Sequence, residues 1–200
     1  MTHDSERAIT RSSMAEALSE ANQVLWSLAS LESPLTLAAE MCLETLRRGG
    51  KILACGNGGS AAEAQHLVGE LAGRYQRSRR PLAAVALNAD STLLTCIGND
   101  FSFEDAFARQ VEGLGRPGDL LIAFTSSGNS PNIVRALRKA TQQGLRSVAF
   151  LGRDGGQALA LADCSLLVAH ANTARIQEGH NFLMHCLMDA IEAEIAAVEG

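Results

Sequence analysis

The sequence predicts an α/β fold: a three-layer, doubly wound sheet of five mostly parallel strands, preceded by N-terminal helices. Three observations predict it. From Lys51 onward, short apolar runs alternate with stretches of helical spacing. The apolar runs are continuous rather than alternating, as in strands covered on both faces. Two of them end in Gly/Ser loops that each open a helix, one within Lys51–Ser60 and one within Asp119–Ser130.

The elements follow in order. Residues from about Ser13 to Leu31 place Met14, Leu18, Ala21, Val24, Leu25 and Leu28 at helical spacing. The apolar residues of this helix occupy more than one face, so packing on a partner subunit and packing within the chain are both open. Ser33 and Pro34 start a second helix, Leu35 to Arg47, and Gly49-Gly50 stops it. Strands are expected at Ile52–Cys55, Ala83–Leu87, Leu120–Thr125, Ser147–Leu151 and Ser165–Val168. Helices are expected at Ser60–Tyr75, Phe103–Leu114, Asn129–Gln143, Gly156–Ala162 and Arg175–Val198. No linker, repeat or low-complexity tract interrupts them. The expectation is one domain over residues 1–200, with a helical segment at 1–48 and a sheet-and-helix core at 49–200.

The bulk numbers restrict the function. Two hundred residues, 46% hydrophobic and 20% charged, suffice for one ordinary globular core. A net charge of −5, with Lys51 and Lys139 the only lysines, gives no support to nucleic-acid or acidic-membrane binding. Scarce lysine also argues against Schiff-base chemistry, with Lys51 at a strand start left open. Cys42, Cys55, Cys96, Cys164 and Cys186 lack CxxC spacing and lie mostly in apolar runs, which predicts buried reduced thiols. The start, Met1 to Glu6, is polar, and no apolar run reaches membrane-spanning length, so a cytoplasmic location is expected.

An acidic chain that holds an anion must do so by local geometry, and the two loops supply it. A helix N-terminus offers unpaired N–H groups and a positive dipole end. Glycines let the backbone approach a ligand, and hydroxyls add donors, so such a loop reads as a phosphate site. In doubly wound sheets, ligands sit beyond the carboxyl ends of the strands, where both loops lie. Together they suggest a sugar-phosphate pocket. Ser60-Ala61-Ala62-Glu63 also reads as a capping box, which competes with phosphate for the Ser60 hydroxyl.

Chemistry-bearing residues cluster on two helices. His66 and Glu70 are four apart and share a face, suiting a metal site or an acid–base pair as well as a plain helix-surface contact. The last helix carries Gln177, His180 and His185 among apolar neighbours, where polar groups need partners. Spacing does not choose between His180 and His185. His170 reads as a loop residue, and Asp100, in Gly98-Asn99-Asp100-Phe101, as an N-cap or turn residue.

Four segments, taken with His185, resemble the sugar isomerase (SIS) family and, within it, the phosphoheptose isomerases: Gly56–Glu70, Ile97–Phe101, Thr125–Ser130 and Arg175–His180. The resemblance covers most of the chain. It implies an aldose–ketose isomerase that interconverts sedoheptulose 7-phosphate and D-glycero-D-manno-heptose 7-phosphate in heptose synthesis for the lipopolysaccharide core or related glycans. It implies one zinc ion per subunit, held by His66, Glu70, Gln177 and His185, and so selects His185 over His180. It further implies catalytic roles for Glu70 and His185, and substrate contacts from Asn57, Gly58, Ser60, Glu70, Asp100, Thr125, Ser126, Ser127, Ser130 and Gln177. A homotetramer with active sites where subunits meet is implied as well. Two departures stand out: Thr125-Ser126-Ser127 replaces the more usual Ser-Thr-Ser, and Asn172-Thr173-Ala174 stands where some members carry an aspartate. The alternatives are another phosphosugar, or the role of a non-catalytic relative that binds the replication initiator DnaA. That relative lacks the metal-binding glutamate and final histidine, both present in this chain as Glu70 and His185.

Overall fold

The computed structural model describes residues 13–199, with side chains described through residue 195. The polar start at Met1–Glu6 therefore lies outside the described residues. The chain runs α1 (Met14–Ser27), α2 (Glu32–Arg47), β1 (Ile52–Gly56), α3 (Gly59–Ala72), β2 (Ala84–Ala86) and α4 (Ser91–Asp100). It continues through α5 (Ala108–Leu114), β3 (Leu120–Thr125), α6 (Pro131–Gln142), β4 (Arg146–Gly152), β5 (Cys164–Val168) and α7 (Thr173–Glu199). All five strands are parallel, in the order β2-β1-β3-β4-β5.

Strand period sorts the core into two layers. Ile52, Ala54, Leu120, Ile122, Phe124, Val148 and Phe150 point to one face, where α1, α2, α3 and α7 cover them. Leu53, Cys55, Leu121, Ala123, Ala149 and Leu151 point to the other, under α5 and α6. β1 and β3 are buried along their whole length, which explains their unbroken apolar sequence. Because β1 pairs with β3 and β2 lies on the far side of β1, the connections turn opposite ways at the β1/β3 boundary. That is the place in such sheets where a crevice opens.

Local chemistry sets the ends. α1 begins with a reciprocal capping box: Ser13 Oγ accepts from Glu16 N, and Glu16 Oε2 accepts from Ser13 N. Asp119 precedes β3 at the edge opposite the Gly/Ser loops. Its carboxylate accepts from Lys51 N, Lys51 Nζ and Arg116 N, tying the starts of β1 and β3. Lys51 is thus committed to this tie, away from the crevice.

The structure departs from the expected elements at five places. α2 begins at Glu32 rather than Leu35, directly after a 3-10 turn at Leu28–Leu31, so Ser33 and Pro34 lie inside its first turn. A helix, α4, occupies Ser91–Asp100, capped by Asp90, whose carboxylate accepts from Leu93 N. The single helix expected at Phe103–Leu114 is a short turn at Phe103–Asp105 followed by α5. The segment Gly156–Ala160 is a 3-10 turn. α3 ends at Ala72 rather than Tyr75, because Gly73 closes it through its N–H to Gly69 O and the chain turns toward α7. All five cysteines are free: Cys42, Cys55 and Cys164 are buried, Cys186 is half-buried and Cys96 is exposed. No helix among the described residues is long and apolar enough to cross a membrane.

Candidate active site

The two Gly/Ser loops meet because their strands are neighbours. Gly58 turns the chain from β1 into α3 at φ 56° and ψ −122°, a conformation suited to glycine. Asn57 Nδ2 donates to Asn132 Oδ1 and Asn132 Nδ2 donates back to Asn57 Oδ1, both at 2.9 Å, which binds one loop to the start of the other loop's helix. In the second loop, Thr125 Oγ1 accepts from Gly128 N and Ser127 Oγ from Asn129 N. Asn57, Ser60, Thr125, Ser126, Ser130 and Gln177 line a cavity of about 200 Å³ between the loops. No lysine or arginine lines it among the described residues. α3 and α6 both begin without a side-chain cap, so the helix starts face the cavity with neutral donors.

The capping box read at Ser60 does not form. Gly58 is the N-cap and α3 starts at Gly59, so Ser60 sits inside the first turn, buried, with its hydroxyl on the cavity side. Glu63 turns inward instead, and its Oε2 lies 3.6 Å from His180 Nδ1.

A second cleft of about 400 Å³ continues from the cavity, lined by Gly59, Ala62, Glu63, His66 and Gln177, among others. Gln177 lies in both spaces, pressed against Gly59, where an added Cβ would stand 2.2 Å from its Nε2. One turn beyond His66 comes Glu70. Its Oε1 is 3.1 Å from His66 Nε2 and 3.6 Å from His185 Nε2. The potential ligand atoms of all three residues lie within 4.8 Å of one another. The His66 and His185 rings meet edge to face at 5.2 Å, and Tyr75 stacks on His185 at 5.7 Å. His66 and His185 side chains are 43% and 39% exposed and that of Glu70 is 13% exposed, so the trio forms a half-open rim.

Burial pushes the Glu70 carboxyl above its usual range, against the pull of His66 and His185, with Glu192 adding a smaller upward push. Glu70 Oε2 is buried without a hydrogen-bond partner among the described residues. Two imidazoles and a carboxylate with an unsatisfied oxygen make a donor set that suits zinc with an open coordination position.

The other sequence candidates fall elsewhere. Asp100 closes α4 rather than capping a helix start; it is exposed, accepts from Asn99 Nδ2 and lies outside both clefts. Ser127 lines a separate open cleft with Arg153 and His170 rather than the cavity. His170 is a loop residue whose Nδ1 accepts from Asn172 N. His180 is fully buried, with Nε2 donating to Leu151 O, so it belongs to the interior. Sequence reading missed Tyr75, Arg79 and Glu192. The cluster Arg74, Arg77, Arg79 and Arg80 around the chain's only tyrosine was the available signal.

A family model described as the SIS domain matches residues 18–152. The phosphoheptose isomerase of Bordetella avium is 48% identical over 170 residues, which is 84% of this chain and 86% of that protein. The structure of the phosphoheptose isomerase GmhA from Neisseria gonorrhoeae superposes with a TM-score of 0.85 at 43% identity, covering 90% of this chain and 96% of that one. A phosphoheptose isomerase structure from Francisella tularensis superposes at 0.87 with 35% identity over the same shares.

Proposed function

The chain belongs to the SIS family and, within it, to the phosphoheptose isomerases, and on that premise we propose how its residues isomerise sedoheptulose 7-phosphate. The observation that carries the reading is the convergence of His66, Glu70 and His185, with His66 lining a cleft that continues into the cavity between the two Gly/Ser loops.

The cavity between the loops holds the phosphate through Asn57, Gly58, Ser60, Thr125, Ser126 and Ser130. Gln177, lining both spaces, orients the sugar between phosphate and rim. Aldose–ketose exchange moves a proton between C1 and C2 through a cis-enediol(ate). Glu70 takes and returns that proton, a role its place at the rim beside His66 and His185 suits. Alternating with metal ligation, His185 Nε2 gives and takes the proton on the neighbouring oxygen. His66, Glu70, Gln177 and His185 would hold one zinc ion per subunit, which would supply Lewis-acid polarisation of the carbonyl.

The assembly is a homotetramer with sites at subunit boundaries. Exposed Met14, Leu18 and Phe182 line a groove together with His185, which supports a partner covering this rim. Asp100, exposed outside both clefts, and Ser127, in the separate open cleft, are sugar contacts in that assembly. The reaction serves heptose supply for the lipopolysaccharide core or related glycans in the cytoplasm.

The test is incubation with sedoheptulose 7-phosphate, followed by NMR, with a chelator and then with added zinc. Product forms, stops on chelation and returns with zinc. Glu70→Gln and His185→Gln lower kcat by about 10²-fold or more. A folded variant at the wild-type rate refutes the role given to that residue. No turnover under any metal condition overturns the reading.

A further inference from the structure

Beyond α3, residues 73–80 form a strap that reaches across to α7, and one carboxylate fastens it. Glu192 is almost fully buried on α7. It accepts from three consecutive backbone N–H groups, Tyr75 at 3.1 Å, Gln76 at 3.0 Å and Arg77 at 2.9 Å, and from Arg79 Nε at 3.0 Å. The Arg79 guanidinium spends its other donors on Leu71 O at 2.9 Å, Glu70 O at 2.6 Å and Arg80 O at 3.1 Å. Both side chains of the pair are 3% exposed. The strap is thus locked to the end of α3 at Glu70 and to α7 two turns beyond His185.

The lock has a consequence at the rim. It sets Tyr75 so that its ring lies over the His185 ring, 18° from parallel. His66 abuts the same imidazole at 80°. An imidazole on a helix surface turns freely about its ring torsion unless something packs on its face. Here one ring face is covered, and Nε2 is left toward Glu70. Catalytic and metal-holding groups lose much of their effect when displaced by about 1 Å.

We infer that Tyr75, held by the Glu192–Arg79 strap, is a positioning residue that fixes the His185 imidazole against Glu70. The inference rests on the isomerase reading of His185 and Glu70. The contact is made by the ring face rather than the hydroxyl, so phenylalanine serves as well as tyrosine and an aliphatic side chain does not.

The experiment compares wild type, Tyr75→Phe and Tyr75→Leu, each with circular dichroism to verify the fold. Two readouts are taken: steady-state kinetics on sedoheptulose 7-phosphate, and zinc affinity by competition with a chromogenic chelator without substrate. Tyr75→Leu lowers kcat about 10-fold or more and weakens zinc binding by about 10- to 100-fold, with KM within about twofold, because the phosphate cavity is untouched. Tyr75→Phe matches wild type in both. Wild-type kcat and zinc affinity in Tyr75→Leu overturn the inference, as does a Tyr75→Phe defect equal to that of Tyr75→Leu. A wild type that binds zinc but leaves the sugar phosphate unchanged fails the isomerase reading instead, and the zinc competition then decides the inference alone.

Discussion

Glu70 occupies a position where a carboxylate is costly. One oxygen faces two imidazoles and the other is buried without a hydrogen bond among the described residues. Burial raises its pKa, so the folded value lies above the unfolded one of about 4.3. In metal-free protein, stability is therefore lost as pH rises from the unfolded value through the folded one, and stays low above it. Glu70→Gln removes that loss. In the presence of a chelator at pH 7, its Tm is higher than that of wild type. Thermal unfolding that shows an equal or lower Tm contradicts the account. At this scale the His66/Glu70 pair was legible from spacing, whereas the choice between His180 and His185 was not. Residues five apart sit about 140° apart around a helix. Which one meets the rim depends on the side α7 turns to the sheet, and packing decides that: His180 is enclosed against Leu151 O and His185 is left half-open.

The loops are the elements that make the site, and the sequence displayed them openly. Their glycines are there for close approach. At Gly56 a Cβ would stand 2.2 Å from Ser60 O, and at Gly59 it would meet Gln177. Gly59→Ala keeps a permitted backbone but pushes Gln177 out of place. Its kcat/KM falls about 10-fold or more with the circular dichroism spectrum unchanged. Unchanged kcat/KM shows that Gln177 has no orienting role. The helices were less legible than the loops. α4 is ten residues long and its apolar stripe is only Leu93, Leu94 and Ile97, of which Ile97 alone is buried, among the poor helix formers Thr92, Thr95 and Gly98; its cap Asp90 was the readable sign. The end of α3 was misread because Arg74 and Tyr75 suit a helix as well as a strap. Only the distant Glu192 carboxylate, 117 residues from Tyr75, settles the matter.

For the whole molecule, five parallel strands follow from short continuous apolar runs, while strand order, and with it the crevice at the β1/β3 boundary, emerged only with the structure. Two carboxylates stitch distant parts together, and nothing in the net charge announced them. For Asp119 and Glu192, burial pushes the pKa up, but the surrounding donors outweigh it: Lys51 and Arg116 for one, three strap amides and Arg79 for the other. Both end below the ordinary carboxylate range. Their stabilisation is present above the unfolded pKa and is lost as pH falls through the lower folded values. Urea unfolding monitored from pH 7 down to pH 3 shows a steep acid limb. Asp119→Ala lowers the neutral-pH free energy by about 3 kcal/mol and flattens that limb. A change under about 1 kcal/mol contradicts the tie between the starts of β1 and β3. The loop cavity follows the opposite principle: amides and hydroxyls line it, and no cationic side chain does among the described residues. A phosphate group held there, as proposed, would be loosened little by added salt, and on leaving the cavity would break bonds to neutral groups only.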